Sequence, residues 1–565
     1  MTKTLSYIKP YGGTAAWAIV IKFVGSIAEL FLPLLLDYII DDIVPLKDIA
    51  MVLWLGLAML ACSLVAMLGN IWANRLSVVA AAKMTHDLRY DLFKKISYLR
   101  SRQVDEVTVP SLVSRLTSDS YYVNQMVART LRLGVRAPIL LIGGILMTFI
   151  VDIYLALVLL ACVPFVIVSV VIITKKSIPY YAKKQANSDD MVRAMQENIS
   201  GVRIIKALSK GEHEKRKFRG ISDRLGETDY SAKKVMSLTN PLATLILNLG
   251  LVVVIIVGAL MSDGAGSVLA VLTYFTMILN GMLGLSKIFV VISQGVASAD
   301  RIEGVIELDH SQPVGQYPQG DKAYAVQFKN VSFSYNGVEN NLSDINFALK
   351  RGGTLGIIGA TGSGKSTVIN LLMRFYDVNE GAIYVDGQDV RSLPPEELRA
   401  RFGIAFQNDF LMAGSIHENI DYGRKLPEED IACAVDSAQA REFISGLEGG
   451  MQYELAQKAA NLSGGQKQRL TVARALAGNP RILILDDASS ALDYETDAAL
   501  RRDLALNYPD TTKIIIAQRV SSVKSADTIL VLDDGAQIGL GTHEQLMRDC
   551  EEYQLIYRAQ MGEDI

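Results

Sequence analysis

The chain has 565 residues, of which half are hydrophobic and 20% charged, and its mean hydropathy is +0.25. Those values exclude a disordered chain and argue against an ordinary soluble protein. A net charge of −3, from 56 basic and 59 acidic residues, argues against a nucleic-acid partner. Cys62, Cys162, Cys433 and Cys550 are too few and too far apart for a disulfide scaffold or a Cys/His metal site, and read as isolated thiols.

The apolar excess lies in residues 1–310, which read as a transmembrane domain. A run of about 18 apolar residues is long enough to cross a bilayer as a helix. Six such runs are predicted, at about 14–36, 50–74, 133–151, 154–174, 239–261 and 266–294. The first is too long for a secretory signal, and residues 1–12 read as a short amphipathic lead-in. Val151-Asp152-Ile153-Tyr154 alone separates the third run from the fourth, which predicts a tight helical hairpin.

Basic residues crowd two connections, from Arg75 to Arg136 and from Lys175 to Lys234, whereas residues 37–48 hold only Lys47. Positive-inside reasoning places both termini and the two basic segments in the cytoplasm. Each basic segment reads as helical throughout, with turns predicted near Val109-Pro110-Ser111 and Ile199-Ser200-Gly201. Within the spans, Lys22 is predicted to snorkel to the inner interface, and Lys287 to be solvated there. Glu29 lies deeper and reads either as lining a cavity or as paired with a structural partner. Asn248 and Asn280 read as interhelical hydrogen-bonding residues.

Residues 311–325 read as a linker and 326–565 as a soluble α/β domain. There, Gly359-Ala360-Thr361-Gly362-Ser363-Gly364-Lys365-Ser366-Thr367 follows an apolar strand and opens a helix, which is the P-loop pattern. Its glycines let backbone N–H groups wrap phosphates, and the helix start adds a positive field. Lys365 is expected to reach the β- and γ-phosphates, and Ser366 to ligate Mg²⁺. The strand Ile482-Leu483-Ile484-Leu485 ends in Asp486-Asp487, and Asp486 is placed to hold Mg²⁺. Leu462-Ser463-Gly464-Gly465-Gln466 opens another helix and forms a second anion site. One site already serves the local phosphates, so the second must serve a nucleotide held by another subunit.

With these motifs in order, the chain resembles an exporter-type ABC half-transporter over essentially its whole length. The resemblance implies a six-span α-helical transmembrane domain with long cytoplasmic helical extensions, then an α/β P-loop nucleotide-binding domain. It implies ATP and Mg²⁺ as cofactors. Tyr335 resembles the aromatic that stacks on adenine, and Gln407 the Q-loop glutamine, a Mg²⁺ ligand that senses the γ-phosphate. Ser490-Ala491-Leu492-Asp493 resembles the D-loop. Segments near 107–119 and 197–210 resemble the two coupling segments.

Two residues depart from the family pattern. Asp487 stands where a glutamate usually acts as general base, and its carboxylate falls short by about 1.5 Å; errors of about 1 Å can cost roughly a hundredfold. Gln518, in Ile516-Ala517-Gln518-Arg519, stands where the family places a switch histidine. It can hydrogen-bond a γ-phosphate but cannot carry a histidine's charge. Ala456-Gln457, ahead of the signature, replaces a pair that is often Gly-Glu.

The resemblance therefore implies a heterodimer. This chain supplies a degenerate P-loop side and an intact signature, and a different half-transporter subunit supplies the consensus glutamate and histidine. The expected function is ATP-driven export of small hydrophobic or amphipathic compounds across a bacterial plasma membrane. Lipid export, peptide export and a catalytically silent regulatory subunit stay open. Membrane lipids and a small-molecule substrate are the other partners expected. No peptidase-like segment precedes the first span, which weighs against a peptide-processing exporter.

Overall fold

A computed structural model describes residues 2–261, 264–309, 311–408, 410–488 and 490–561. The chain divides into two compact units, Met1–Tyr98 with Thr108–Leu308, and Leu99–Val107 with Asp309–Ile565.

The first unit is helical: α1 (Gly12–Tyr38), α2 (Ile49–Ser97), α4 (Ser120–Val151), α5 (Ile153–Ser200), α6 (Val202–Ala207), α7 (Gly211–Met236), α8 (Thr239–Met261) and α9 (Ala265–Ile306); α3 (Ser101–Val107) belongs to the second unit. Among the described residues four continuous helices are long and apolar enough to cross a membrane: Lys3–Leu46, Ile49–Ser97, Val109–Val151 and Ala265–Ile306. The fourth and fifth predicted spans fall on α5 and α8, whose described apolar stretches are Ile153–Cys162 and Thr244–Gly258.

Local chemistry sets the helix ends. Asp48 precedes α2 and its carboxylate accepts from the Met51 N–H at 3.0 Å. Asp152 is the single extended residue between α4 and α5, and accepts from the Leu155 N–H at 2.9 Å. Such caps satisfy N–H groups that a helix start leaves free. Along α2 the small residues Ala66, Ala73, Ala80 and Ala81 are buried, while Leu53, Trp54, Leu57, Leu60 and Leu64 are exposed, as a lipid-facing surface requires. α1 and α2 cross closely at Gly25 and Gly69, where a Cβ on Gly69 would stand 3.3 Å from the Gly25 Cα.

Several expectations change here. Lys22 does not snorkel: it is buried and donates to the Asn70 and Asn74 side chains at 2.7 and 3.2 Å. Glu29 has an ion-pair partner, Arg136, at 2.7 Å. Asn248 and Asn280 are exposed, and the Lys287 side chain lies outside the described residues. The predicted first turn lies next to a break at Thr108, which takes φ +69°, and Val109-Pro110-Ser111 itself is the first turn of the following helix. Proline fits a helix's first turn, where no donor is needed, so it marks a start there and not the bend. The predicted coupling segment at 107–119 accordingly falls mostly on that helix. The second segment, 197–210, spans the end of α5, the break at Gly201, α6 and Ser209 at φ +52°.

In the second unit, ten strands form one sheet: β1 (Tyr324–Phe333), β2 (Leu342–Lys350), β3 (Thr354–Gly359), β4 (Glu380–Val385), β5 (Gln388–Asp389), β6 (Phe402–Ala405), β7 (Ile482–Asp486), β8 (Thr512–Ile516), β9 (Thr528–Asp533) and β10 (Ala536–Gly541). Their order is β5-β4-β1-β2-β10-β9-β3-β8-β7-β6. The block β9-β3-β8-β7-β6 is parallel, with Ile514 opposite Leu355 on one side and Ile484 on the other. Its buried Leu and Ile run, packed by helices α10 (Lys365–Leu372) and α11 (Gly464–Leu476), is the composition parallel strands need when covered on both faces. Helices α12 (Tyr494–Asn507) and α13 (Glu551–Met561) are among the others in the unit. The first strand begins at Tyr324, inside the stretch read as linker.

Candidate nucleotide-binding site

Ligands bind α/β sheets beyond the carboxyl ends of their strands. Four neighbouring parallel strands end here in residues singled out by sequence: β3 in the P-loop, β8 before Gln518, β7 in Asp486, and β6 before Gln407. Segments up to 160 residues apart in sequence thus meet at one sheet edge. They enclose a cleft of about 300 Å³. Its lining includes Thr361, Gly362, Gly364, Lys365, Ser366, Thr367, Gln407, Asp486, Asp487 and Gln518.

Backbone geometry explains the P-loop glycines. Gly362 and Gly364 have φ of +90° and +97°, left-handed values that side chains resist. A Cβ at Gly359 would stand 2.1 Å from the Leu532 carbonyl oxygen. Lys365 opens α10, and its ammonium donates to the Gly359 and Ala360 carbonyls at 2.9 and 2.7 Å. Burial pushes its pKa down, while Asp486 and Asp487 pull it up. The Ser363 hydroxyl is buried without a partner among the described residues.

Asp486 is buried, and burial with the neighbouring Asp487 charge pushes its pKa up to about 6, against a hydrogen bond from Ser366 and the Lys365 charge. A carboxylate held so uncomfortably beside a hydroxyl fits a divalent cation, which would neutralise it. The ammonium, the orphan hydroxyl and the helix start likewise fit phosphate oxygens. Ser366 and Asp486 would hold Mg²⁺ here, and exposed Gln407 lies on the same cleft.

Asp487 is half-buried, with φ of +51°, and burial raises its pKa while Lys365 and Arg519 lower it. Its N–H donates to the Ile516 carbonyl at 2.9 Å. The Gln518 amide donates to its Oδ2 at 3.4 Å, so the two departures from the family pattern are in contact.

Tyr335 stands off the cleft lining. Its ring is edge-on to Phe333 and Tyr376, with centroids 4.8 and 4.9 Å away, and its hydroxyl accepts from Asn370 at 3.0 Å. Tyr376 in turn donates to Asp105 of α3.

The signature residues Leu462–Gln466 lie outside the described lining of this cleft. Ser463 caps α11 by accepting from the Gln466 N–H at 3.3 Å, and the Gln466 side chain accepts from the Ser463 N–H at 2.9 Å, a reciprocal capping box. Ala491 of the D-loop lies against Gly465, where a Cβ would meet its carbonyl at 3.1 Å. Leu492 is buried, and Asp493 caps α12 by accepting from the Thr496 N–H at 2.8 Å.

Sequence reasoning missed Gln468. It is buried, donates to the Ser490 hydroxyl at 2.9 Å and accepts from the Ala491 N–H at 2.9 Å. It thereby ties the signature helix to the D-loop. The only signal was a polar residue on the apolar face of a helix.

Comparison with known proteins agrees with this geometry. Residues 16–283 match the family model described as ABC transporter transmembrane region, and residues 342–490 match the model described as ABC transporter. The chain is 33% identical, over 100% of its own length and 99% of the relative's, to the uncharacterized ABC transporter ATP-binding protein YfiB of Bacillus subtilis. It is 29% identical to an ATP-dependent lipid A-core flippase of Vibrio vulnificus, covering 99% of this chain and 97% of that one. A bacterial Atm1-family ABC exporter solved with ATP bound matches with a TM-score of 0.83 at 25% identity, covering 98% of this chain and 99% of that one. The chain therefore belongs to the ABC transporter family, as an exporter-type half-transporter with a membrane-spanning helical domain and a cytoplasmic domain that uses ATP with Mg²⁺.

Proposed function

We propose that this chain is the low-turnover half of a heterodimeric exporter of small hydrophobic or amphipathic compounds, with six spans in each half. The observation that carries this reading is the contact between Asp487 and Gln518 at the lip of the P-loop cleft. Neither residue supplies the longer carboxylate or the imidazole usual in the family. The carboxylate that would take a proton from water is both short and already hydrogen-bonded by an amide.

In this reading Lys365 and the loop N–H groups hold the phosphates, and Tyr335 supports the adenine. Ser366, Asp486 and Gln407 hold Mg²⁺, which supplies positive charge against the phosphate oxygens. Ser463, Gly464 and Gly465 present the α11 start to a nucleotide on the partner's P-loop, and Ala491 and Asp493 face the same junction.

The test is to tag the chain in its native host, purify it in mild detergent and identify what co-purifies. A second, different half-transporter in equal amount supports the reading, and copies of this chain alone reject it. The double substitution Asp487→Glu with Gln518→His is expected to raise ATP turnover by about tenfold or more, given the cost of misplaced groups. Unchanged turnover rejects the assignment of those positions.

A lipid cargo is the second reading, favoured by similarity to the lipid A-core flippase. ATPase stimulation by a phospholipid but not by hydrophobic drugs would select it.

A further inference from the structure

Helix α13 carries Tyr553, Ile556, Tyr557 and Gln560 at the i, i+3, i+4, i+7 spacing of one helix face. Tyr553 is fully buried in a cluster with Ile358 of β3, Ala517 and Val520, against which Ile556 and Tyr557 pack. This apolar seating aims the last residue of the stripe, Gln560, at the loop that follows β8. The Gln560 Nε2 donates to the Gln518 carbonyl oxygen at 2.8 Å, and its Oε1 accepts from the Val520 N–H at 2.7 Å. A single amide thus grips the backbone on both sides of Arg519. From that gripped backbone the Gln518 side chain reaches toward Asp487. Behind the loop lies a second cleft of about 300 Å³, shared by Gly359, Ala360 and Thr361 of the P-loop with Gln518 and Gln560. Packing does not fill the space between α13 and the back of the P-loop, so the amide clamp adds a polar hold on Gln518 and Val520 to the apolar seating of Ala517 and Val520.

We propose that Gln560 is a positioning residue for the switch glutamine: it fixes the backbone from which Gln518 meets the nucleotide's terminal phosphate. The proposal rests on the reading of Gln518 as the residue at the switch position. It makes α13 part of the nucleotide site without touching the nucleotide.

The experiment uses the purified full-length transporter with the subunit that accompanies it. It is loaded with radiolabelled 8-azido-ATP, chased with unlabelled ATP for increasing times and irradiated. Label remaining on this chain reports release from its own P-loop site, whether or not that site hydrolyses. Gln560→Ala is expected to speed release about two- to tenfold, the range one hydrogen bond spans. Gln560→Glu keeps the acceptor for Val520 but loses the donor to Gln518, and is expected to fall between. In a Gln518→Ala background, Gln560→Ala is expected to change nothing. Equal acceleration in both backgrounds would assign Gln560 to general helix packing and overturn the proposal. If Gln518→Ala alone leaves release unchanged, the switch reading fails and the clamp with it. If Gln518→Ala alters release while Gln560→Ala does not, the clamp alone fails.

Discussion

The P-loop and the Ser-Gly-Gly turn both present the start of a helix, yet they treat their free N–H groups differently. At the P-loop, Gly364 precedes α10 in a left-handed conformation with no side-chain cap, and Lys365 reaches back over the loop. At the signature, Ser463 and Gln466 cap each other's backbone. The first start has no side-chain cap and carries a lysine charge, which fits phosphate oxygens bound at its own cleft. The second is partly satisfied by its own capping box, which on the proposed reading suits a nucleotide anchored elsewhere. Glycine content alone does not define a phosphate site; what the neighbouring side chains do with the free donors defines it.

Breaking each start separately should give the largest effects. Lys365→Ala is expected to cut 8-azido-ATP labelling of this chain by about a hundredfold, through loss of charge-assisted hydrogen bonds. Ser463→Arg should leave that labelling intact and remove most ATP turnover, because on the proposed arrangement it blocks the nucleotide on the partner's P-loop. If Ser463→Arg instead abolished labelling of this chain, the division of labour between the two starts would be wrong. Tyr335→Ala is expected to weaken labelling about tenfold, in line with one base–aromatic stack, with turnover at saturating ATP little changed.

The smallest effect concerns pH. Burial, and then the Lys524 charge, holds the His543 pKa below its ordinary value, and the ring contacts the Tyr553 hydroxyl at 2.9 Å. A lowered histidine pKa means the fold favours the neutral ring. That stability is present above the unfolded value of about 6.5 and is lost as pH falls below it. The protection of α13 amides, measured against their intrinsic exchange rate at each pH, should therefore fall modestly between pH 7 and pH 5.5, and His543→Gln should flatten the change.

The P-loop, the Asp486-Asp487 pair and the signature were legible because each is contiguous, so spacing alone carries the chemistry. The order of long apolar and charged stretches gave the helical half and the sheet half for the same reason. Contacts between distant segments were not legible. Lys22 looked like a snorkelling residue because its partners, Asn70 and Asn74, sit on another helix. The turn near Val109-Pro110-Ser111 was legible only to within a residue or so, because proline is equally at home in a bend and in a helix's first turn; the break itself is at Thr108. Gln468 and Gln560 carry no motif, and their roles arise only where α11 meets the D-loop and α13 meets the switch loop.

Residues 311–325, read from composition as a linker, are fastened along their length. Arg374 is fully buried and donates to the Pro313 carbonyl at 2.8 Å, while the Gln312 side chain returns a bond to the Arg374 carbonyl at 3.1 Å. Gly315 and Gly320 bond to the carbonyls of Arg391 and Gly387 at 3.1 and 2.9 Å, and the Arg391 guanidinium lies over the Tyr317 ring. Exposed slack is what proteases and inserted tags exploit. A protease site or fluorescent tag placed here would strip the strap from the sheet, so probes for this protein belong in surface turns elsewhere.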